Sequence, residues 1–129
     1  MIDDIFAYTS GPHDAKIVLV GEAWGSEEEA QQLPFVGHSG RLLRHPHDGL
    51  LALSGIDPST VLFTNVVSAR PAGNNMWNFF LPKDLSPTSP LGGLYPSPLV
   101  IEHLQRLYSL LDEVQPDLII AAGNYPLWP

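Results

Sequence analysis

At 129 residues and 44% hydrophobic content, the chain is sized for one domain with one core, and not comfortably for two. It contains no cysteine, which excludes disulfides, thiolate zinc sites and cysteine-held iron–sulfur clusters within this chain. A formal net charge of −8 makes non-specific duplex binding through neutralised phosphates a poor expectation, and the longest apolar run, Leu118–Ala122, is far too short to span a membrane.

Residues 1–15 are polar and irregular, with a turn signal at Ser10-Gly11-Pro12 and no run that reads as a signal peptide, so a soluble cytoplasmic protein is expected. Lys16–Val20 is a short β-branched apolar run between turn residues, the pattern of a parallel strand buried on both faces. Gly21–Gly25 follows as a turn. Ser26 with Glu29 three residues on matches a capping box, and Glu27, Glu28 and Glu29 suit a helix N-terminus. Pro34 keeps that helix short, and Leu33–Gly37 reads as a loop. Ser39 is the expected cap of the next helix, with Leu42, Leu43, Leu50, Leu51 and Leu53 as its apolar positions and Pro46 interrupting or splitting it.

Val61–Val67 is the second strand, ending near Thr64-Asn65. Ser68–Pro98 is rich in proline and glycine over about thirty residues, a length at which compact domains rarely leave a loop without function. Within it, Met76–Leu81 is apolar and aromatic and is expected to pack down as a short helix or a lid. Leu99–Val114 is the clearest helix, with Val100, Leu104, Leu107, Leu110, Leu111 and Val114 on helical spacing and Pro116 closing it. Asp117–Ala122 is the third strand, followed by Gly123-Asn124. Strands alternating with helices predict an α/β chain with a parallel sheet. Three strands bury little area, so either helices cover both faces or a further strand is missing.

In open α/β sheets, ligands bind beyond the carboxyl ends of the strands. The predicted strands end in Gly21-Glu22, Asn65 and Gly123-Asn124, and parallel strands bring all three ends to one rim. Strand ends often carry Gly and Asn for turns alone. Here they coincide with a carboxylate and with a Phe presented on a Pro-Phe-Val-Gly loop. Gly21 and Gly25 admit close backbone approach, and Glu22 is placed to act as a base or to orient a water. Phe35 offers a flat face for a heteroaromatic ligand, and Asn65 offers a donor and an acceptor side by side, suited to the edge of a nucleobase. The glycine spacing is neither a dinucleotide fingerprint nor a P-loop.

Gly21-Glu22-Ala23-Trp24-Gly25, Pro34-Phe35-Val36-Gly37, Ser39-Gly40-Arg41-Leu42-Leu43, Thr64-Asn65-Val66-Val67 with Arg70-Pro71 and Gly73-Asn74, and the later Pro116–Gly123 together resemble the uracil-DNA glycosylase superfamily. The pattern is most similar to that of the iron–sulfur (family 4) enzymes and related phage proteins, with Trp24 where that family's first motif has proline. The resemblance runs from about Lys16 to Asn124. It implies a three-layer α/β/α sandwich, and hydrolysis of the N-glycosidic bond of uracil or a related deaminated base in DNA. It implies that Phe35 stacks on an extruded base and Asn65 binds its edge. The Gly21–Ala23 turn would line the pocket and help hold the water, with Glu22 and Glu28 as the acidic groups. Arg41, Arg70 and Asn74 are the candidates for DNA contact.

Two departures stand out. The cluster-binding cysteines are absent, so no iron–sulfur cluster or other cofactor is expected. The family's late His-Pro-Ser-type motif, after a fourth strand, has no counterpart after Asn124, so the chain is expected to be the front part of such a domain, acting as a monomer in a bacterial or phage-infected cell. The alternatives are a non-catalytic relative that binds nucleic acid or a base, and an α/β nucleotide-binding protein of another family. The five histidines lack the pairing and third ligand that a metal site needs. Glu27–Glu29 also reads as a solvated helix start, and Arg70 as half of a structural ion pair.

Overall fold

A computed structural model describes residues 4–71, 73, 79–81 and 95–122. In chain order the elements are β1 (Ile17–Gly21), α1 (Ser26–Gln31), α2 (His38–Arg44), α3 (Leu50–Leu53), a 3-10 turn (Pro58–Thr60), β2 (Val61–Asn65), β3 (Phe80–Leu81), β4 (Tyr95–Pro96), α4 (Pro98–Val114) and β5 (Leu118–Ala121). The main sheet has the order β2-β1-β5 and is parallel throughout, with β1 in the middle. Ile17 faces Val61 on one side and Leu118 on the other, and the β1–β2 register ends with Gly21 opposite Asn65. β3 and β4 form a separate antiparallel pair.

The two-residue period of a strand divides the core into two clusters. Val18, Val20 and Leu62 point to one face, where Val100, Leu104, Leu107 and Leu110 of α4 cover them. Leu19, Val61 and Phe63 point to the other, with Leu51 of α3 and the partly buried Phe35 and Leu43. Helices therefore lie on both sides of the sheet, giving the expected three-layer α/β arrangement. α4 begins as its sequence dictates: Ser97 caps it by accepting from Val100 N–H at 3.5 Å, and Pro98 occupies the first turn, where a missing N–H costs nothing. Each of its four fully turned-in aliphatic side chains contributes about 1.5–3 kcal/mol of burial.

Several boundaries differ from the sequence expectation. The first helix is capped at Gly25 and not at Ser26, because Glu28 and not Glu29 reaches back, accepting from Gly25 N–H at 3.1 Å. α2 is capped at Gly37, which places Ser39 inside the helix. Of the five leucines assigned to that region, Leu42, Leu50 and Leu53 are 55%, 59% and 70% exposed, because Pro46 splits the segment into two short helices that each turn only one leucine inward. β5 is apolar yet half-exposed at Leu118 and Ile119, since among the described residues it lies at an edge of the sheet. The proposed lid falls largely outside the described residues, as do Gly123-Asn124. Phe79 is described and is buried in the α4-side cluster. No described helix is long and apolar enough to cross a membrane.

Candidate functional site

The site grows from the paired ends of β1 and β2. Beyond them, the two chains continue side by side. Val66 N–H donates to Gly21 O at 2.8 Å, Val67 N–H to Glu22 O at 3.0 Å, and Trp24 N–H to Ala69 O at 3.0 Å. The Gly21–Trp24 turn is thus stitched along the segment leaving β2. A cavity of about 460 Å³ opens there, lined by Gly21, Glu22, Ala23, Trp24, Gly25, Glu28, Phe35, Gly40, Leu43, Asn65 and Ala122. The structure brings together all the sequence-predicted pocket residues: Gly21, Glu22, Ala23, Glu28, Phe35 and Asn65.

Gly21 is the floor on which the ring and the amide meet. A Cβ at this position would lie 2.6 Å from Phe35 Cζ and 2.9 Å from Asn65 Nδ2, so only glycine lets both approach. Phe35 adopts a left-handed backbone (φ 56°), uncommon for a residue with a side chain. Its neighbours hold it there. Pro34 is buried beneath, Arg44 donates to Pro34 O at 3.2 Å, and Gly40 of α2 lies so close that a Cβ would overlap the Phe35 carbonyl. The ring tilts against Phe63, with centroids 5.5 Å apart. Asn65 is 4% exposed, and its Oδ1 is buried without a hydrogen-bond partner among the described residues; the Trp24 indole N–H is in the same condition. An unpartnered acceptor and an unpartnered donor belonging to two residues that line one cavity are what a ligand with a polar edge would complete.

Glu28 accepts three backbone N–H groups: Gly25 at 3.1 Å on one oxygen, and Val36 at 3.0 Å together with Gly37 on the other. One carboxylate thereby ties the Gly25 turn to the loop that carries Phe35. Glu22 lines the cavity and is half-buried. Of the candidates for DNA contact, Arg41 lies 3.6 Å from Glu27 and Arg70 lies 3.9 Å from Glu29, both pairs at the surface near α1. Asn74 lies outside the described residues.

Sequence reasoning missed what holds the Asn65 side of the cavity from behind. Arg106 and His103 are 3% and 6% exposed on the buried face of α4. Arg106 donates to Thr64 Oγ1 and to the Asn65 carbonyl, both at 2.7 Å, and to Ser68 Oγ at 3.4 Å. His103 Nδ1 accepts from Ser68 N–H at 3.2 Å. Burial lowers the Arg106 guanidinium to about 10, which leaves it charged at neutral pH. Burial, reinforced by the Arg106 charge and opposed by Glu102, lowers His103 to about 4. The available signal was two polar residues in phase with the apolar stripe at Val100, Leu107 and Leu110.

A second cavity of about 520 Å³ shares Phe35 as a wall and is lined also by Ser10, Leu33, Arg41 and Arg44, but by neither Glu22 nor Asn65. Among the described residues, no three His, Asp or Glu side chains gather to hold a metal ion, and the chain has no cysteine, so its residues do not fit an iron–sulfur cluster.

A family model described as the uracil DNA glycosylase superfamily matches residues 8–128. The type-4 uracil-DNA glycosylase of Archaeoglobus fulgidus is 31% identical over 116 residues, covering 89% of this chain and 47% of that protein. The type-4 uracil-DNA glycosylase of Thermotoga maritima is 45% identical over 64 residues, covering 50% of this chain and 31% of that protein. That of Saccharolobus solfataricus is 41% identical over 64 residues, covering 50% and 28%. In each comparison the match spans about half or less of the curated relative.

Proposed function

The chain belongs to the uracil DNA glycosylase superfamily, and on that premise we propose that it acts on DNA, hydrolysing the N-glycosidic bond of uracil or a related deaminated base. One observation carries this reading: Phe35 and Asn65 converge over Gly21 in a single cavity, with the buried Asn65 Oδ1 lacking a partner among the described residues. A flat base with a polar edge suits that geometry. The bond is unreachable inside a base stack, so the nucleotide is extruded first. Phe35 then stacks on the base and Asn65 hydrogen-bonds its edge. The Gly21–Ala23 turn and Glu22 hold a water against the sugar C1′.

As the C1′–N bond breaks, its electron pair leaves with the base, and the sugar takes on oxocarbenium character. The Glu22 carboxylate favours that cation, while hydrogen bonds to the departing base favour its anion. Water bonds to C1′ and its proton passes to Glu22. Glu28, the second acidic candidate, contributes through the backbone amides it gathers, which keep the turn and the Phe35 loop in register. Arg41, Arg70 and Asn74 are assigned to the DNA backbone. In this reading the protein works as a monomer in the cytoplasm of a bacterial or phage-infected cell, without a cluster ligated by its own residues.

The test is base release from single- and double-stranded DNA containing deoxyuridine. Release well above that of a Glu22→Gln, Asn65→Ala double variant is expected; no difference overturns hydrolysis by this chain. The ring and the unpartnered amide oxygen speak to base binding and not to bond cleavage, which favours a second reading, base binding without hydrolysis. Retained binding of a deoxyuridine strand, lost in Phe35→Ala and unaccompanied by base release, selects it.

A further inference from the structure

We propose that Arg106 is the positioning residue of Asn65, setting the direction of its amide from the opposite face of the sheet. Strand alternation separates the two residues. Leu62 and Thr64 point toward α4, while Phe63 and Asn65 point toward the Phe35 side. Arg106 does not line the cavity, so it acts on Asn65 through the backbone.

The Asn65–Val66 peptide group is gripped at both ends. Its carbonyl accepts from Arg106 Nη2 at 2.7 Å, and its N–H donates to Gly21 O at 2.8 Å. With the preceding residues held in register against β1, that plane sets the Asn65 backbone and so where its Cα–Cβ bond points. The side chain has no second anchor on its acceptor, since Oδ1 has no partner among the described residues. Arg106 also holds the residues on either side, through Thr64 Oγ1 and Ser68 Oγ, and His103, one turn earlier, takes the Ser68 N–H.

The choice of residue supports the assignment. All three acceptors are neutral, and no described carboxylate pairs with Arg106. A buried cation without an anionic partner is disfavoured by desolvation, and an aliphatic side chain would continue the stripe of Leu104, Leu107 and Leu110 without that penalty. Among side chains, the planar guanidinium can reach several diverging oxygens from one site. The arrangement therefore fits a requirement on the geometry of 64–68 better than a requirement for packing.

This inference rests on the base-reading role of Asn65 only for its functional consequence, and its first test does not depend on that role. The full chain is labelled with 15N-asparagine, and the Asn65 side-chain amide is assigned by its loss in Asn65→Ala. In the wild type its two protons are expected to be well separated. In Arg106→Met they should move toward the values of a free amide while β1 amides stay protected, and Arg106→Lys, which keeps a donor, should fall between. If Arg106→Met does not fold, Arg106→Lys carries the comparison. An Asn65 amide unchanged in the folded variant overturns the proposal.

The second arm is a double-variant cycle on binding of a short single strand with one deoxyuridine. Arg106→Lys should weaken binding about tenfold when Asn65 is present and hardly at all in Asn65→Ala. Equal weakening in both backgrounds means a purely structural role and overturns the proposal. If the wild type shows no preference for deoxyuridine, base reading fails, and the amide resonance alone decides the role of Arg106.

Discussion

The two walls of the cavity are held by opposite means. On the first, one carboxylate collects backbone N–H groups: Glu28 binds Gly25, Val36 and Gly37. On the second, one guanidinium collects oxygens: Arg106 binds Thr64, Asn65 and Ser68. Both walls lie at or beyond the end of a parallel strand, where the pairing of β1 with β2 thins to a few backbone bonds. In each case a single charged side chain supplements those bonds. They differ in setting. Glu28 is half-buried and gathers groups near it in sequence, whereas Arg106 is buried in the core and reaches back from α4. The first wall is a local device; the second exists only after the tertiary fold has formed.

Substitutions can separate the two. Glu28→Ala should have the largest effect, releasing three charge-assisted bonds and lowering stability by about 3 to 4 kcal/mol, read from urea unfolding. The left-handed Phe35 should relax with it, so base binding falls further than the folded fraction does.

Acid should loosen the second wall instead. His103 accepts from Ser68 N–H only while neutral. The folded state keeps it neutral down to about 4, whereas the unfolded chain protonates it near 6.5. The contribution is complete above pH 6.5, declines as pH falls and is gone below about 4, a change of at most about 3 kcal/mol. Urea midpoints across that window should fall more steeply for the wild type than for His103→Gln.

Gly21→Ala tests the place where the walls meet. The methyl would press on both Phe35 and Asn65, costing about 2 kcal/mol by overpacking, while binding of a deoxyuridine strand drops far more than stability. The smallest effects are expected outside both walls. Arg41→Ala or Arg70→Ala removes an exposed ion pair and should change stability by less than about 1 kcal/mol. If these residues touch phosphate, each should reduce the salt slope of DNA binding by about one, measured by titration at several ionic strengths.

The same contrast explains what the sequence made legible. The apolar runs of β1 and β2 and the stripe of α4 announce the sheet and one of its covering layers through periodicity. Gly21, Phe35 and Asn65 were readable because each sits at a strand end or on a loop with unusual composition. Glu28 was visible as an acid near a helix start, but its three backbone partners were not, because loop closure between Gly25 and Gly37 has no periodic signature. Gly40 gave no signal of the Phe35 carbonyl against which it packs. Arg106 was invisible as a partner of Asn65, since nothing local couples α4 to the end of β2. The leucines of α2 and α3 misled for a related reason: apolar spacing predicts a buried face only where the helix stays whole.

The central position of β1 governs the order in which the molecule can assemble. Gly21, Phe35 and Asn65 all precede residue 66, so a chain emerging from the ribosome can bring the cavity's walls together early. β1 must then keep its other flank open until Leu118 arrives, and Asn65 receives its guanidinium only when α4 has docked. Pairing across such long separations is slow, so a nascent chain would hold a formed but unfastened site beside an unpaired strand flank.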